Sequence, residues 1–281
     1  MALFTQLPNI FKLIRLNISL MVTISAYFGF LLTGGKYTSN LLIVLLAVMI
    51  HSFGTSMLNQ YQEVESDKKM ERTKKRPLPK YIFDSKKVLL VSMIFILLSF
   101  LLPIIIKKKF ITLMLLDNFI IYNCIYTPLK KKTSFALLIG SFSGAIPPII
   151  GWLAGNSSLS IEILLVATTF YMWQVPHFLF LTEKYKNEYK KAGFRILINE
   201  TSAKKYNIIL IVWLISYFLV LTNTAFIILR QGILSDIVIS LETVLILILI
   251  IQDKKSNQKF HIINISILIL IIFYIIKILS N

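Results

Sequence analysis

Long apolar runs alternate with polar breaks along the whole chain. Nine such runs stand out, at about 17–34, 41–60, 88–106, 110–127, 134–154, 160–181, 207–229, 232–251 and 261–279. Each is close to the roughly 20 residues that an α-helix needs to cross about 30 Å of hydrocarbon. A transmembrane β-strand would instead alternate in and out over about ten residues. Helices also satisfy their own backbone groups in lipid, where no water can do so. The pattern predicts an all-α integral membrane protein of nine transmembrane helices, with residues 1–281 as a single domain.

The breaks are unequal. Those at 62–87 and 182–206 are long and rich in charge, whereas those at 128–133 and 252–260 are short. Spans 2–3 flank the first long break and spans 6–7 flank the second. The two blocks therefore share a layout, although their sequences differ.

Composition agrees with the pattern. Hydrophobic residues make up 56% of the chain and charged ones only 15%, with a mean hydropathy of +0.75. That is too little charge for a soluble domain of this length. The net charge of +17 would fit a nucleic-acid partner if it were not so unevenly placed. With the N-terminus taken as cytoplasmic, 24 Lys and Arg fall on the cytoplasmic side and 6 on the other. This is the positive-inside distribution. It predicts a multi-pass protein of a bacterial inner membrane with its C-terminus on the far side. Its partners are membrane lipids, with no nucleic acid. The single Cys124 has no internal disulfide partner and reads as a small core residue.

Candidate chemistry begins where span 2 ends, in NQYQEVESDKKMERTKKRPLP (Asn59 to Pro79). Asn59, Glu63 and Asp67 recur every four residues, so on a helix they drift only about 40° per step and line one face. Arg72 and Arg76 follow at the same spacing. Pro77 and Pro79 are expected to stop the helix. The second block carries Gln174 and His177 near the end of span 6. Glu183, Glu188 and Tyr189 come next, among Lys184, Lys186, Lys190 and Lys191. Carboxylates suit Mg²⁺, which takes one or two of them and completes its shell with water and phosphate oxygens. Carboxylates interleaved with Arg and Lys suit a metal-bridged diphosphate, the bases holding phosphate oxygens directly. Over apolar spans that would take a hydrocarbon tail, this predicts prenyl transfer.

At this point the residues resemble a known family. The string from Asn59 to Pro79 is similar to the first motif of the UbiA superfamily of intramembrane prenyltransferases. YTPLKKKT (Tyr126–Thr133), GSFSGAIPPIIGW (Gly140–Trp152), WQVPHF (Trp173–Phe178) and EYKKAG (Glu188–Gly193) resemble its haem-farnesylating branch. The resemblance covers residues 59–193; the outer spans match only as hydrophobic helices. It implies transfer of the farnesyl group of farnesyl diphosphate to a vinyl group of haem B, with addition of water, giving haem O. The fold it implies is a bundle around a central cavity, with cytoplasmic caps from the loops after helices 2 and 6. A terminal-oxidase assembly or a haem A synthase is the implied partner.

Carried over position by position, Asn59, Glu63 and Asp67 match the family's first Mg²⁺–diphosphate motif, and Arg72, Arg76 and Lys130 match its basic residues. The second acidic site departs from the pattern. It has Glu188-Tyr189 where members often have Asp-Tyr, and Tyr185 where they often have Arg. Lys184 and Lys186 are the nearest bases in sequence, and Glu183 is a further candidate ligand. His177 is a nitrogen for haem iron or for a proton. His51, in mid-span, is a candidate because intramembrane ionisable groups commonly serve function. It lies eight residues before Asn59, about 80° round the helix. His261 reads as interfacial. Three alternatives remain at this stage: a related prenyltransferase acting on a quinone-type acceptor, a polytopic transporter, and a haem-binding assembly factor without chemistry.

Overall fold

The computed structural model describes residues 2–35, 37, 39–155, 158–251 and 256–280. Lys36, Lys254 and Lys255, counted above in the charge asymmetry, lie outside the described residues. The described chain is helical, without strands. Eight helices are long and apolar enough to cross a membrane, which makes this a polytopic membrane protein. The first expected span differs. It is α2 (Leu16–Leu31), joined to α1 (Ala2–Leu13) at a bend of 49°, and the pair counts as a ninth span only if taken together. Gln60 explains the bend: its side-chain amide donates to the carbonyls of Lys12 and Leu13 at 3.2 and 2.6 Å. These end-of-helix carbonyls would otherwise be left without partners.

The chain forms two compact units. Unit 1 is residues 1–158 with 187–195, and unit 2 is residues 159–186 with 196–281. Unit 1 holds α1, α2, α3 (Ser39–Gln62), α4 (Val64–Asp67), α5 (Ser85–Ile105), α6 (Lys109–Phe119), a π-helix (Ile120–Tyr126), α7 (Thr127–Leu129) and α8 (Ala136–Gly155). Its core joins Ala26 of α2, Val44 and Ala47 of α3, Ile111 and Leu115 of α6, and Ile150 of α8. Lipid tails are as apolar as Leu, so helices in a membrane associate by close packing and polar contacts. Both occur here. A Cβ on Gly151 would come within 1.6 Å of the Ala26 carbonyl oxygen, and one on Gly29 within 1.9 Å of the Pro148 carbonyl oxygen. Only glycine lets α2 and α8 cross at this distance. Pro147 and Pro148 lie within an unbroken α8.

Unit 2 holds α9 (Ile161–Lys184), α11 (Leu197–Glu200), α12 (Ala203–Leu229), α13 (Ile233–Ile251) and α14 (Ser256–Ser280); α10 (Lys186–Lys191) runs from it into unit 1. Buried hydroxyl pairs stitch the long helices of unit 2: Thr169 to Thr224 at 2.7 Å, and Tyr217 to Ser266 at 2.7 Å.

Two expectations are corrected. The helix bearing the acidic motif ends at Asp67, not at Pro77, and residues 68–84 fold back as turns. Thr73 ends it, donating its hydroxyl to the Asp67 carbonyl at 3.0 Å. Cys124 is exposed on the π-helix rather than in the core.

Candidate active site

Asn59, Glu63 and Asp67 come together in unit 1 as their spacing predicts, but the helix is not regular there. α3 gives way at Glu63 (φ −107°, ψ 7°) and α4 resumes at once. The i→i−4 backbone bonds still run through the break, from Glu63 to Asn59 at 3.0 Å and from Asp67 to Glu63 at 2.8 Å. The three side chains therefore stay in line, and all are buried, at 1%, 6% and 2% exposure.

Buried carboxylates need partners, and each group in this line has a basic one. Arg15, at the bend between α1 and α2, donates to Asn59 Oδ1 at 2.7 Å and to the Tyr122 hydroxyl at 3.2 Å. Lys130 pairs with Glu63. Arg76 Nη1 pairs with Asp67 Oδ2 at 2.7 Å. The Asn59 amide donates to Thr127 Oγ1 at 3.0 Å, and Thr127 in turn donates to the Tyr122 carbonyl at 2.8 Å. The π-helix supplies Tyr122 and Asn123 and runs straight into Thr127. Inserted turns of this kind often mark functional sites. Asn123 bonds the Thr55 carbonyl at 3.1 Å and Gln62 at 3.2 Å, fixing the π-helix against α3.

The bases are cations at neutral pH. Burial lowers the Arg76 pKa, with Arg15 nearby adding to the effect, but only to about 10. Burial alone would depress Lys130; Glu63, Tyr126 and Tyr122 outweigh it and hold its pKa above the ordinary lysine value. The Lys130 ammonium also lies 4.6 Å from the Tyr126 ring centroid and 5.6 Å from that of Phe194, where the ring quadrupoles favour its charge.

The 187–195 segment sits on the same unit. Glu188 accepts from the backbone N–H of Arg72 at 3.0 Å, and Tyr189 accepts from the Arg72 guanidinium at 3.3 Å. Met70, Ala192 and Phe194 pack beneath. Arg195 donates its backbone N–H to the Lys130 carbonyl at 2.9 Å. Glu188 is thus placed as a clasp between two loops, with Arg72 outside the row of buried acids.

The remaining candidates are His51 in unit 1 and five residues of unit 2. His51 is buried, with Nδ1 at 3.0 Å from Ser99 Oγ and its ring 5.9 Å from that of Phe100, so it faces α5. In unit 2, Glu183 lies beside the Tyr206 hydroxyl, and Gln174 has a buried Oε1 without a hydrogen-bond partner. Lys184 sits 5.0 Å from the Tyr185 ring. Lys186 is exposed. His177 is held between α9 and α14. Among the described residues no three His, Cys, Asp or Glu side chains group as a metal-ligand set.

Sequence reasoning missed two residues. Arg15 precedes the first span and reads as a topology charge; only the bend turns it inward. Glu242 in α13 is fully buried, and neither carboxylate oxygen has a hydrogen-bond partner. Its signal was an acid in the middle of an apolar run, six residues past Asp236 at the start of the helix.

With fold and site in view, the comparisons are direct. The chain belongs to the UbiA prenyltransferase family, whose model matches residues 20–268. It is 32% identical over 212 residues to the protoheme IX farnesyltransferase of Nitratidesulfovibrio vulgaris, covering 75% of this chain and 74% of that one. The corresponding enzyme of Oleidesulfovibrio alaskensis is 33% identical over 211 residues, with the same coverage. Among solved structures, a digeranylgeranylglyceryl phosphate synthase superposes with a TM-score of 0.78 at 17% identity, covering 99% of this chain and all of that one. A UbiA homologue from Archaeoglobus fulgidus bound to GPP and Mg²⁺ gives 0.68 at 14% identity, covering 96% and 99%. These two show the shared fold.

Proposed function

We propose that this chain transfers the farnesyl group of farnesyl diphosphate to a vinyl group of haem B, with addition of water, giving haem O and diphosphate. The observation that carries the reading is the buried line Asn59–Glu63–Asp67, each member engaged by a base. The family match and the names of the relatives choose the reaction. Residues 1–281 act as one domain, since the family match runs through both units.

The donor set fits Mg²⁺. Asn59, Glu63 and Asp67 offer hard oxygens on successive turns, and Glu188 is a further carboxylate of the same unit. Mg²⁺ held there would neutralise negative charge as the C–O bond to diphosphate breaks. Arg15 donates to the Asn59 amide oxygen, and Lys130 and Arg76 pair with the Glu63 and Asp67 carboxylates. Released from them, these cations, with Arg72, have the charge and geometry to take phosphate oxygens. Burial strengthens every such contact and keeps bulk water from the leaving group. On the acceptor side, His177 offers an imidazole to haem. The charge asymmetry supports a bacterial inner membrane with the N-terminus cytoplasmic. Haem O would pass to a terminal oxidase or a haem A synthase.

The test is to incubate membranes carrying the protein with haem B, farnesyl diphosphate and Mg²⁺ and to look for haem O by mass. Product is expected, and Asp67→Asn should abolish it while the protein remains folded and inserted. Full activity in that variant, or indifference to Mg²⁺ chelation, would overturn the metal–diphosphate assignment. Prenylation of a quinone-type acceptor in place of haem would overturn the acceptor.

A further inference from the structure

In unit 2, two i,i+4 pairs interlock. α9 presents Trp173 and His177, and α14 presents Phe260 and Asn264. The His177 ring centroid lies 4.8 Å from that of Trp173 and 4.7 Å from that of Phe260. The Trp173 indole donates to the Ile263 carbonyl at 2.7 Å, which fixes the α9–α14 register at this level. His177 Nδ1 lies 2.7 Å from Asn264 Oδ1. An amide oxygen has no proton to give, so Nδ1–H is the donor. A neutral imidazole carries one proton. Nε2 therefore holds the lone pair.

We infer that Asn264 is a positioning residue for the haem acceptor: it sets the tautomer and orientation of His177 so that Nε2 is presented as a ligand to the haem iron. This rests on the reading of haem B as substrate and of His177 as its nitrogen. The chemistry is that of histidine ligands generally. An acceptor on the second ring nitrogen fixes the tautomer and raises the basicity of the first, and losing it costs about 10–100-fold in affinity. The packed Trp173 and Phe260 rings restrict rotation, so the geometry is set before haem arrives. The buried Gln174 Oε1, three residues before His177 on α9, is a polar atom without a hydrogen-bond partner.

The test uses the purified full-length protein with ferrous haem B and reads haem affinity by absorption and the iron–histidine stretch by resonance Raman. Wild type is expected to show the stretch, and His177→Ala to lose it. Asn264→Leu should lower its frequency and weaken haem binding about ten-fold. Asn264→Asp keeps an acceptor and should preserve binding while raising the frequency. Thermal melting and farnesyl diphosphate binding identify variants that merely misfold. If His177→Ala removes the stretch but Asn264→Leu leaves both frequency and affinity unchanged, Asn264 is only a helix bolt and the inference fails alone. If His177→Ala keeps the stretch, His177 is not the ligand, and the inference falls with that role while haem B stays the acceptor.

Discussion

Arg15 holds the carboxamide oxygen of Asn59 at 2.7 Å across 44 residues of chain, joining the bend that precedes the first full helix to the start of the acidic motif. Its second nitrogen reaches Tyr122 on the π-helix at 3.2 Å. One side chain thus ties three elements of unit 1 together. Arg15→Met should raise the KM for farnesyl diphosphate by about ten-fold or more, since a charged hydrogen bond is worth about 1.5–3 kcal/mol. Steady-state kinetics in membranes measures this, and an unchanged KM would remove Arg15 from the site.

Lys130 and Glu63 form a mostly buried pair. Removing one partner strands the other charge, so Lys130→Met should destabilise the protein by about 3–5 kcal/mol. Adding Glu63→Gln should restore much of the stability and none of the activity. Because folding raises the Lys130 pKa, the lysine's contribution is complete below its unfolded value of about 10.5 and disappears only as pH climbs through the higher folded value. The melting difference between wild type and Lys130→Met should therefore hold steady from neutral pH to about 9. A difference that vanishes well below that range would show that Lys130 is not held charged by Glu63.

Glu242 buries two carboxylate oxygens without hydrogen-bond partners. An unsatisfied buried polar group costs about 1–3 kcal/mol. Glu242→Leu should raise the melting temperature in detergent and leave haem O formation intact. A lower melting temperature, or lost activity, would show that the carboxyl group is needed.

Gly151 meets the Ala26 backbone at a distance that excludes a Cβ. Gly151→Ala should force α2 from α8 and lower the yield of folded protein, whereas alanine at the exposed Gly232, with nothing within 4 Å, should be tolerated. Equal melting temperatures for the two variants would contradict the packing.

Much of the fold was legible because lipid imposes a strong rule: a crossing segment must be long, apolar and helical. Eight expected spans became helices for that reason. The first did not match so simply, because its bend comes from Gln60 capping carbonyls of a helix 47 residues away, which no local pattern records. The acidic line was legible from its four-residue spacing. The break at Glu63 and the fold-back after Asp67 were not, since both answer to Lys130, Thr73 and Arg76 through space.

By itself, then, the order of residues determined the membrane class, the helical architecture and the alignment of Asn59, Glu63 and Asp67, because periodicity and hydropathy act between near neighbours in the chain. Tertiary structure alone decided which base meets which acid, that His51 turns to Ser99, and that Asn264 sets the proton on His177. Except for Arg76 with Asp67, nine residues apart, those pairings join positions tens of residues apart, and burial makes the choice of partner count.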